Sequence, residues 1–218
     1  MTDQKRMAHE VKTVARLSQR EGVAAVSDKA ASRIGRELFY GTRRRKNRPR
    51  AFAYILQAAK AGYVHSQNLA GYCYSRGIGT KKDFRLALYW FRRAAEGGHL
   101  EAPFNLALAY EHGAGTRVNL NKAFEYYTLA AKLGNPAAQC NLAVAYLDGT
   151  GTKPNVRKGM NWLRKAARRG DATAQYNLGL AYKKGIGVAK SLRSAAVWLA
   201  RSARRGNKRA KEMIKPPG

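Results

Sequence analysis

The sequence predicts an all-α fold, a right-handed α-solenoid of helix-turn-helix repeats with a 36-residue period, in four clear copies and one degenerate N-terminal copy. Four observations predict it. Tyr74, Tyr110, Tyr146 and Tyr182 lie 36 residues apart. Each is followed three residues later by Gly-x-Gly, at Gly77/Gly79, Gly113/Gly115, Gly149/Gly151 and Gly185/Gly187. An aromatic residue comes sixteen positions after each tyrosine (Trp90, Tyr126, Trp162, Trp198). Two small residues and a closing glycine follow it: Ala94-Ala95/Gly98, Ala130-Ala131/Gly134, Ala166-Ala167/Gly170 and Ser202-Ala203/Gly206. A fixed period of this size without insertions is the mark of stacked repeats. Each repeat buries its face against its neighbours, so 218 residues need no single central core.

Residues 1–26 read as an N-terminal cap, with Met7, Val11, Val14 and Leu17 forming one apolar stripe over a helix at 4–20. Residues 27–62 hold the degenerate copy. Ala30, Ile34, Gly35, Leu38 and Gly41 fall on its first-helix positions, and Ala51, Tyr54, Ala58, Ala59 and Gly62 on its second. Arg43 stands where the second turn glycine belongs, so the basic run RRRKNRPR (43–50) is placed in an interhelical turn. The four clear repeats occupy 63–206. Their first helices (A) span roughly 100–112, 136–148 and 172–184, with Ala102/Leu106/Tyr110 and the equivalent triplets at helical spacing. Gly-x-Gly stops them, because glycine takes the left-handed conformation at a helix end. Their second helices (B) span roughly 119–132, 155–169 and 191–205. Residues 207–218 begin one more helix, stopped by Pro216-Pro217; terminal repeats are expected to be atypical.

Over residues 64–206 these positions resemble the Sel-one-like repeat, a relative of the tetratricopeptide repeat. AEGGHLEAPFNLALAYEHGAGTRVNLNKAFEYYTLAAKLGN and QYNLGLAYKKGIGVAKSLRSAAVWLARSARRG follow the family pattern closely. The resemblance implies a protein-interaction scaffold. It also implies that helix A lines a concave surface, where Asn105, Asn141 and Asn177 would hold a peptide backbone. A structural hydrogen bond to a neighbouring helix is the other reading of that column.

Charge is the second large feature. Forty-two Lys and Arg stand against 13 Asp and Glu, a net charge of +29, far from what solubility alone requires. Residues 1–50 carry 14 basic and 5 acidic residues, 51–98 carry 7 and 2, 99–152 carry 3 and 4, and 153–218 carry 18 and 2. Basic ends around a neutral middle point to a polyanionic partner. On helix B of the third repeat, at 100° per residue, Arg164 and Arg168 fall within about 20° of Arg157, and Lys158, Lys165 and Arg169 at about 80–120°. The packing residues take the opposite side. Arg201, Arg204 and Arg205 reproduce much of this face in the fourth repeat.

A second basic array lies on the turns: Arg43, Arg44, Arg45, Lys46 and Arg48 in the first copy, then Lys81, Arg117 and Lys153, with Lys190 displaced by one. Arginine suits phosphate because its planar fork takes two oxygens, and such arrays bind nucleic-acid backbone without reading sequence. The expectation is therefore a non-enzymatic protein bound to DNA or RNA, within a larger assembly and in the cytoplasm. The alternative is a scaffold for an acidic protein or peptide.

Other chemistries find little support. Four histidines and two cysteines lack metal-ligand spacing, and no cofactor is expected. The Gly-x-Gly turns lack the Lys-Ser/Thr of a phosphate loop. Cys73 and Cys140 read as reduced thiols on buried or half-buried faces. No run of 18 apolar residues and no apolar N-terminal stretch occurs, so neither a membrane span nor a secretory signal is expected. In the column Arg76–His112–Asp148–Lys184, Asp148 is expected to pair with its neighbours between repeats.

Overall fold

The computed structural model describes residue 19 and residues 26–214; apart from residue 19, the capping helix expected over 4–20 lies outside them, as does the Pro216-Pro217 stop. Among the described residues there are eleven helices and no strand. They are α1 Asp28–Tyr40, α2 Arg48–Lys60, α3 Val64–Arg76, α4 Phe84–Glu96, α5 Ala102–His112, α6 Leu120–Lys132, α7 Pro136–Asp148, α8 Val156–Arg168, α9 Ala172–Lys184, α10 Leu192–Arg204 and α11 Lys208–Met213. Odd-numbered helices are A and even-numbered ones are B. Two compact units result, one of residues 26–102 and 114–117, the other of 103–113 and 118–214.

Caps set the helix limits. Asn47, Asp83, Asn119, Asn155 and Ser191 precede the five B helices, and each accepts a hydrogen bond from the N–H three residues on. That satisfies one of the donors a helix start leaves unpaired. Asn47 also corrects the extent of the basic turn: α2 starts at Arg48, so Arg48 lies on the helix and only residues 43–47 of the basic run belong to the turn. At the other end Gly41, Gly77, Gly149 and Gly185 close α1, α3, α7 and α9 in the left-handed conformation.

In the first unit α2 contributes the largest share of the core, with Phe52, Ile55 and Leu56 fully buried. Phe52 meets Tyr74 edge-on at 5.1 Å between ring centroids. Close approach of α3 and α4 needs Gly71, where a Cβ would sit 2.7 Å from the Phe91 ring. The second unit repeats this chemistry: Leu142, Met160, Leu163 and Leu178 are buried, and Phe124 meets Tyr146 edge-on at 5.2 Å. Truncating one such leucine to alanine costs about 2–5 kcal/mol. The second turn glycine has its own role. A Cβ on Gly151 would stand 2.1 Å from the Leu120 carbonyl oxygen, so the α7–α8 turn rests directly on the first turn of α6.

One recurring feature is absent from the sequence expectations. Gln67, Gln139 and Gln175, at one repeat position, are buried and donate from Nε2 to the carbonyls of Ala59, Ala131 and Ala167 at 3.2, 3.0 and 3.1 Å. Each ties a helix A to the last turn of the preceding helix B, whose carbonyls lack intrahelical donors. Cys73 and Cys140 are free and buried, and burial pushes both thiols up to about 12, so they stay protonated and unreactive at neutral pH.

Candidate partner-binding surfaces

Helix α8 divides cleanly. Gly159, Met160, Leu163, Ala166 and Ala167 are buried against the core, while Arg157, Lys158, Lys165, Arg168 and Arg169 are exposed and Arg164 is half-buried. The spacing placed them so: an inward stripe of small and apolar residues leaves the charged positions nowhere but outward. The structure also shows what some of these cations already touch. Lys165 Nζ lies 4.8 Å from the Trp162 ring centre, and Arg201, at the same position on α10, lies 4.7 Å from Trp198. Each covers the outer face of a half-buried indole while keeping its head at the surface. Arg169 reaches back to donate from Nη1 to the Gly134 carbonyl at 2.6 Å. Arg205 also lies over Gly170, its guanidinium carbon 2.6 Å from where a Cβ would sit. Arg204 is exposed on α10. Carboxylates are scarce here: of the two acidic residues after position 152, Asp171 is engaged at 2.7 Å as the cap of α9.

In the α1–α2 turn Arg43, Arg44, Arg45 and Lys46 are exposed, and Arg44 Nε pairs with Glu37 Oε2 at 3.1 Å. Arg48 is exposed on the first turn of α2. Lys81, Arg117, Lys153 and Lys190 are each exposed in their own turns.

Asn105, Asn141 and Asn177 are half-buried on α5, α7 and α9. Asn177 Nδ2 donates to Cys140 Sγ at 3.8 Å. Asn141 lies beside Tyr127, whose hydroxyl donates to Glu111 Oε2 at 2.7 Å. Burial first, and then Glu111, push the Tyr127 phenol far above its ordinary value. With Leu120, Phe124 and Val144 these groups line a small cavity of about 150 Å³. Asp148 makes neither expected pair. It is exposed at the end of α7, and His112 sits 3.5 Å from its own neighbour Glu111 instead.

A further set of residues escaped the sequence reading. Arg33, Arg36 and Tyr40 on α1, Thr42 and Arg43 in the following turn, and His65 at the start of α3 line a cavity of about 500 Å³ in the first unit. Spacing of three, then four, along α1 was the available signal. Among the described residues no group of three His, Cys, Asp or Glu is placed to hold a metal ion, and no helix is long and apolar enough to cross a membrane.

Paired helices at a constant 36-residue register, with buried repeat positions and variable outward ones, define an all-α repeat protein of the solenoid class. The chain belongs to the Sel1 repeat family, whose model matches residues 28–63, 64–99, 100–135, 136–171 and 172–207. The first match confirms the degenerate copy as a full repeat. Among solved structures the chain is similar to a Sel1 repeat protein from Oxalobacter formigenes, at 30% identity and TM-score 0.80 over 86% of this chain and 77% of that one. It is similar at 27% identity and TM-score 0.79 to a protective antigen of uropathogenic Escherichia coli, covering 92% of this chain and 43% of that chain, less than half the length of the antigen. An immunity protein from Pseudomonas aeruginosa shares the fold, at 22% identity and TM-score 0.55 over 87% of this chain and 71% of that one. No curated protein matches the chain.

Proposed function

We propose that this Sel1 repeat protein is a non-catalytic interaction scaffold, and that the outward face of α8, continued on α10, docks an acidic protein. The observation that carries this reading is the pairing of a wholly packed inner stripe with a basic outer one, in a region where 18 basic residues face 2 acidic ones. Family membership supports a scaffold, and charge complementarity sets the partner's chemistry and speeds encounter. Partners of this kind are held by exposed charge together with a few anchors, and the cation-covered indoles of Trp162 and Trp198 supply those anchors.

A second reading is favoured by one specific observation. Arg157, Arg164 and Arg168 share one line along α8, as phosphate-backbone contacts would require. The deciding experiment is affinity capture with the full chain, with and without nuclease, followed by direct titration of an acidic peptide, duplex DNA and hairpin RNA at 50 and 200 mM salt. Under the proposal, protein partners with acidic surfaces survive nuclease and the acidic peptide binds. Loss of every partner with nuclease, together with a fall of about 10³-fold or more in nucleic-acid affinity between the two salts, would establish the nucleic-acid reading instead. Absence of binding to all three probes at low salt would sink both.

A further inference from the structure

The cavity beside α1 gathers positive charge where the fold does not need it. Arg33, Arg36 and Tyr40 lie on one face of the helix, and Thr42, Arg43 and His65 join them in the lining. A neighbouring cavity of about 470 Å³ shares Arg33 and Arg36 and adds Lys29, Ser27 and Ser32. Among the described residues no carboxylate lies within 4 Å of Arg33, Arg36 or Arg43. Glu37 also lines the cavity, but its carboxylate is taken by Arg44 at 3.1 Å. Glu101 is the other acid close enough to act on Tyr40 and His65. Three exposed arginines lining one cavity, with one engaged and one more distant carboxylate, leave a surplus of positive charge beside the hydroxyls of Tyr40 and Thr42.

We infer that this cavity binds a phosphomonoester, carried either on a partner's phosphorylated side chain or on a small phosphorylated metabolite. The match is chemical. A phosphomonoester carries a charge of about −1.5 to −2 and three strong acceptor oxygens. Arginine forks take such oxygens in pairs, and the Tyr40 and Thr42 hydroxyls donate to what remains. A single carboxylate would occupy one fork and leave two guanidiniums unmatched. At about 500 Å³ the space admits a phosphate with the residue or sugar that bears it, within the ordinary range of ligand sites. His65 sits at the rim with Nδ1 3.3 Å from His99 Nε2, so its ring is oriented by a neighbour rather than by the ligand. The site lies in the first unit and the α8 face in the second, so either assignment stands or falls alone.

Calorimetric titration of the full chain with inorganic phosphate, AMP, a phosphoserine peptide and its unphosphorylated form tests the inference. Saturable one-to-one binding of AMP or the phosphopeptide is expected, with the unphosphorylated peptide silent. Binding of AMP assigns a small metabolite as sufficient; binding of the phosphopeptide alone assigns the partner side chain. R33Q/R36Q should weaken binding at least about tenfold, whereas R157Q/R168Q, which removes equal charge from α8, should leave it within twofold. R33K/R36K keeps the charge but not the fork, and should lose several-fold affinity with an unchanged melting temperature; this variant decides the matter if R33Q/R36Q fails to fold. Equal losses in the α1 and α8 variants would show diffuse attraction only and overturn the inference. So would failure of every phosphorylated probe to bind.

Discussion

Helices α6 and α8 hold the same place in successive repeats; inward both are small or apolar, and the change in charge falls where they face out. Inward, Ala123, Tyr127, Ala130 and Ala131 on α6 correspond to Gly159, Leu163, Ala166 and Ala167 on α8, all buried. The caps match as well, Asn119 for Asn155. Outward, Asn121, Glu125, Thr128, Leu129 and Leu133 become Arg157, Asn161, Arg164, Lys165 and Arg169. Helix stability does not explain the exchange. Arg157 and Lys158 stand in a first turn, where the helix dipole favours acids, and Arg164/Arg168 and Lys165/Arg169 are like-charged i,i+4 pairs costing about 0.2–0.5 kcal/mol each. Lys165 and Arg168 in the last turn recover part of that. Packing fixes the inner positions in both helices; outward, Lys165 lies over Trp162 and Arg169 bonds Gly134, while Arg157 and Arg168 meet no such partner and are the positions the proposed docking face would use.

The largest effect comes from breaking what the two helices share. Gly151→Ala puts a Cβ 2.1 Å from the Leu120 carbonyl oxygen at φ +69°, on the turn that seats the α8 hairpin against α6. Left-handed strain and overpacking together should cost roughly 2–4 kcal/mol in urea unfolding. Gly206→Ala, at φ +90° with nothing within 4 Å, isolates the backbone part at about 1–2 kcal/mol. Equal losses in the two variants would mean that the turn contact contributes nothing.

Next comes the difference itself. Giving α8 the outward residues of α6, as R157N/R164T/K165L/R168K, should leave the circular dichroism unchanged and lower affinity for the acidic partner about 10–100-fold, with association slowed as well as dissociation hastened. The salt dependence of binding should flatten with it. Unchanged affinity would move the docking surface off α8.

Much of this was legible in the sequence. The register, the turn glycines and the helix limits follow from short-range caps and a period counted over four copies. Even the Asn47 cap was available, since it stands 36 residues before Asp83. The buried glutamines were harder to see, because Pro103 interrupts the Gln67–Gln139–Gln175 column and buried amides do not announce themselves in an apolar stripe. The Arg33/Arg36/His65 cavity joins two helices whose contributions are 29 residues apart, and only hairpin packing brings them together. Asp148 shows the limit of the ruler: a repeat column gives neighbourhood, while the direction of an exposed side chain is left to solvent and its nearest partner.

The smallest effect separates architecture from partner binding at a single residue. Arg169 belongs to the basic face by position, yet its Nη1 is spent at 2.6 Å on the Gly134 carbonyl, and Leu133 holds the same place on α6 without such a bond. Arg169→Leu should therefore lower stability by about 1 kcal/mol, since one largely exposed hydrogen bond is lost, or about 2–4 °C in melting temperature for a chain of this size. Partner affinity should fall less than about threefold, because the guanidinium is already engaged. Arg169→Lys keeps the charge but not the planar reach, so it should share the stability loss while binding normally. Were Arg169→Leu to keep its melting temperature and lose tenfold in affinity, the bond to Gly134 would be incidental and Arg169 would rank with Arg157 and Arg168 as part of the docking face.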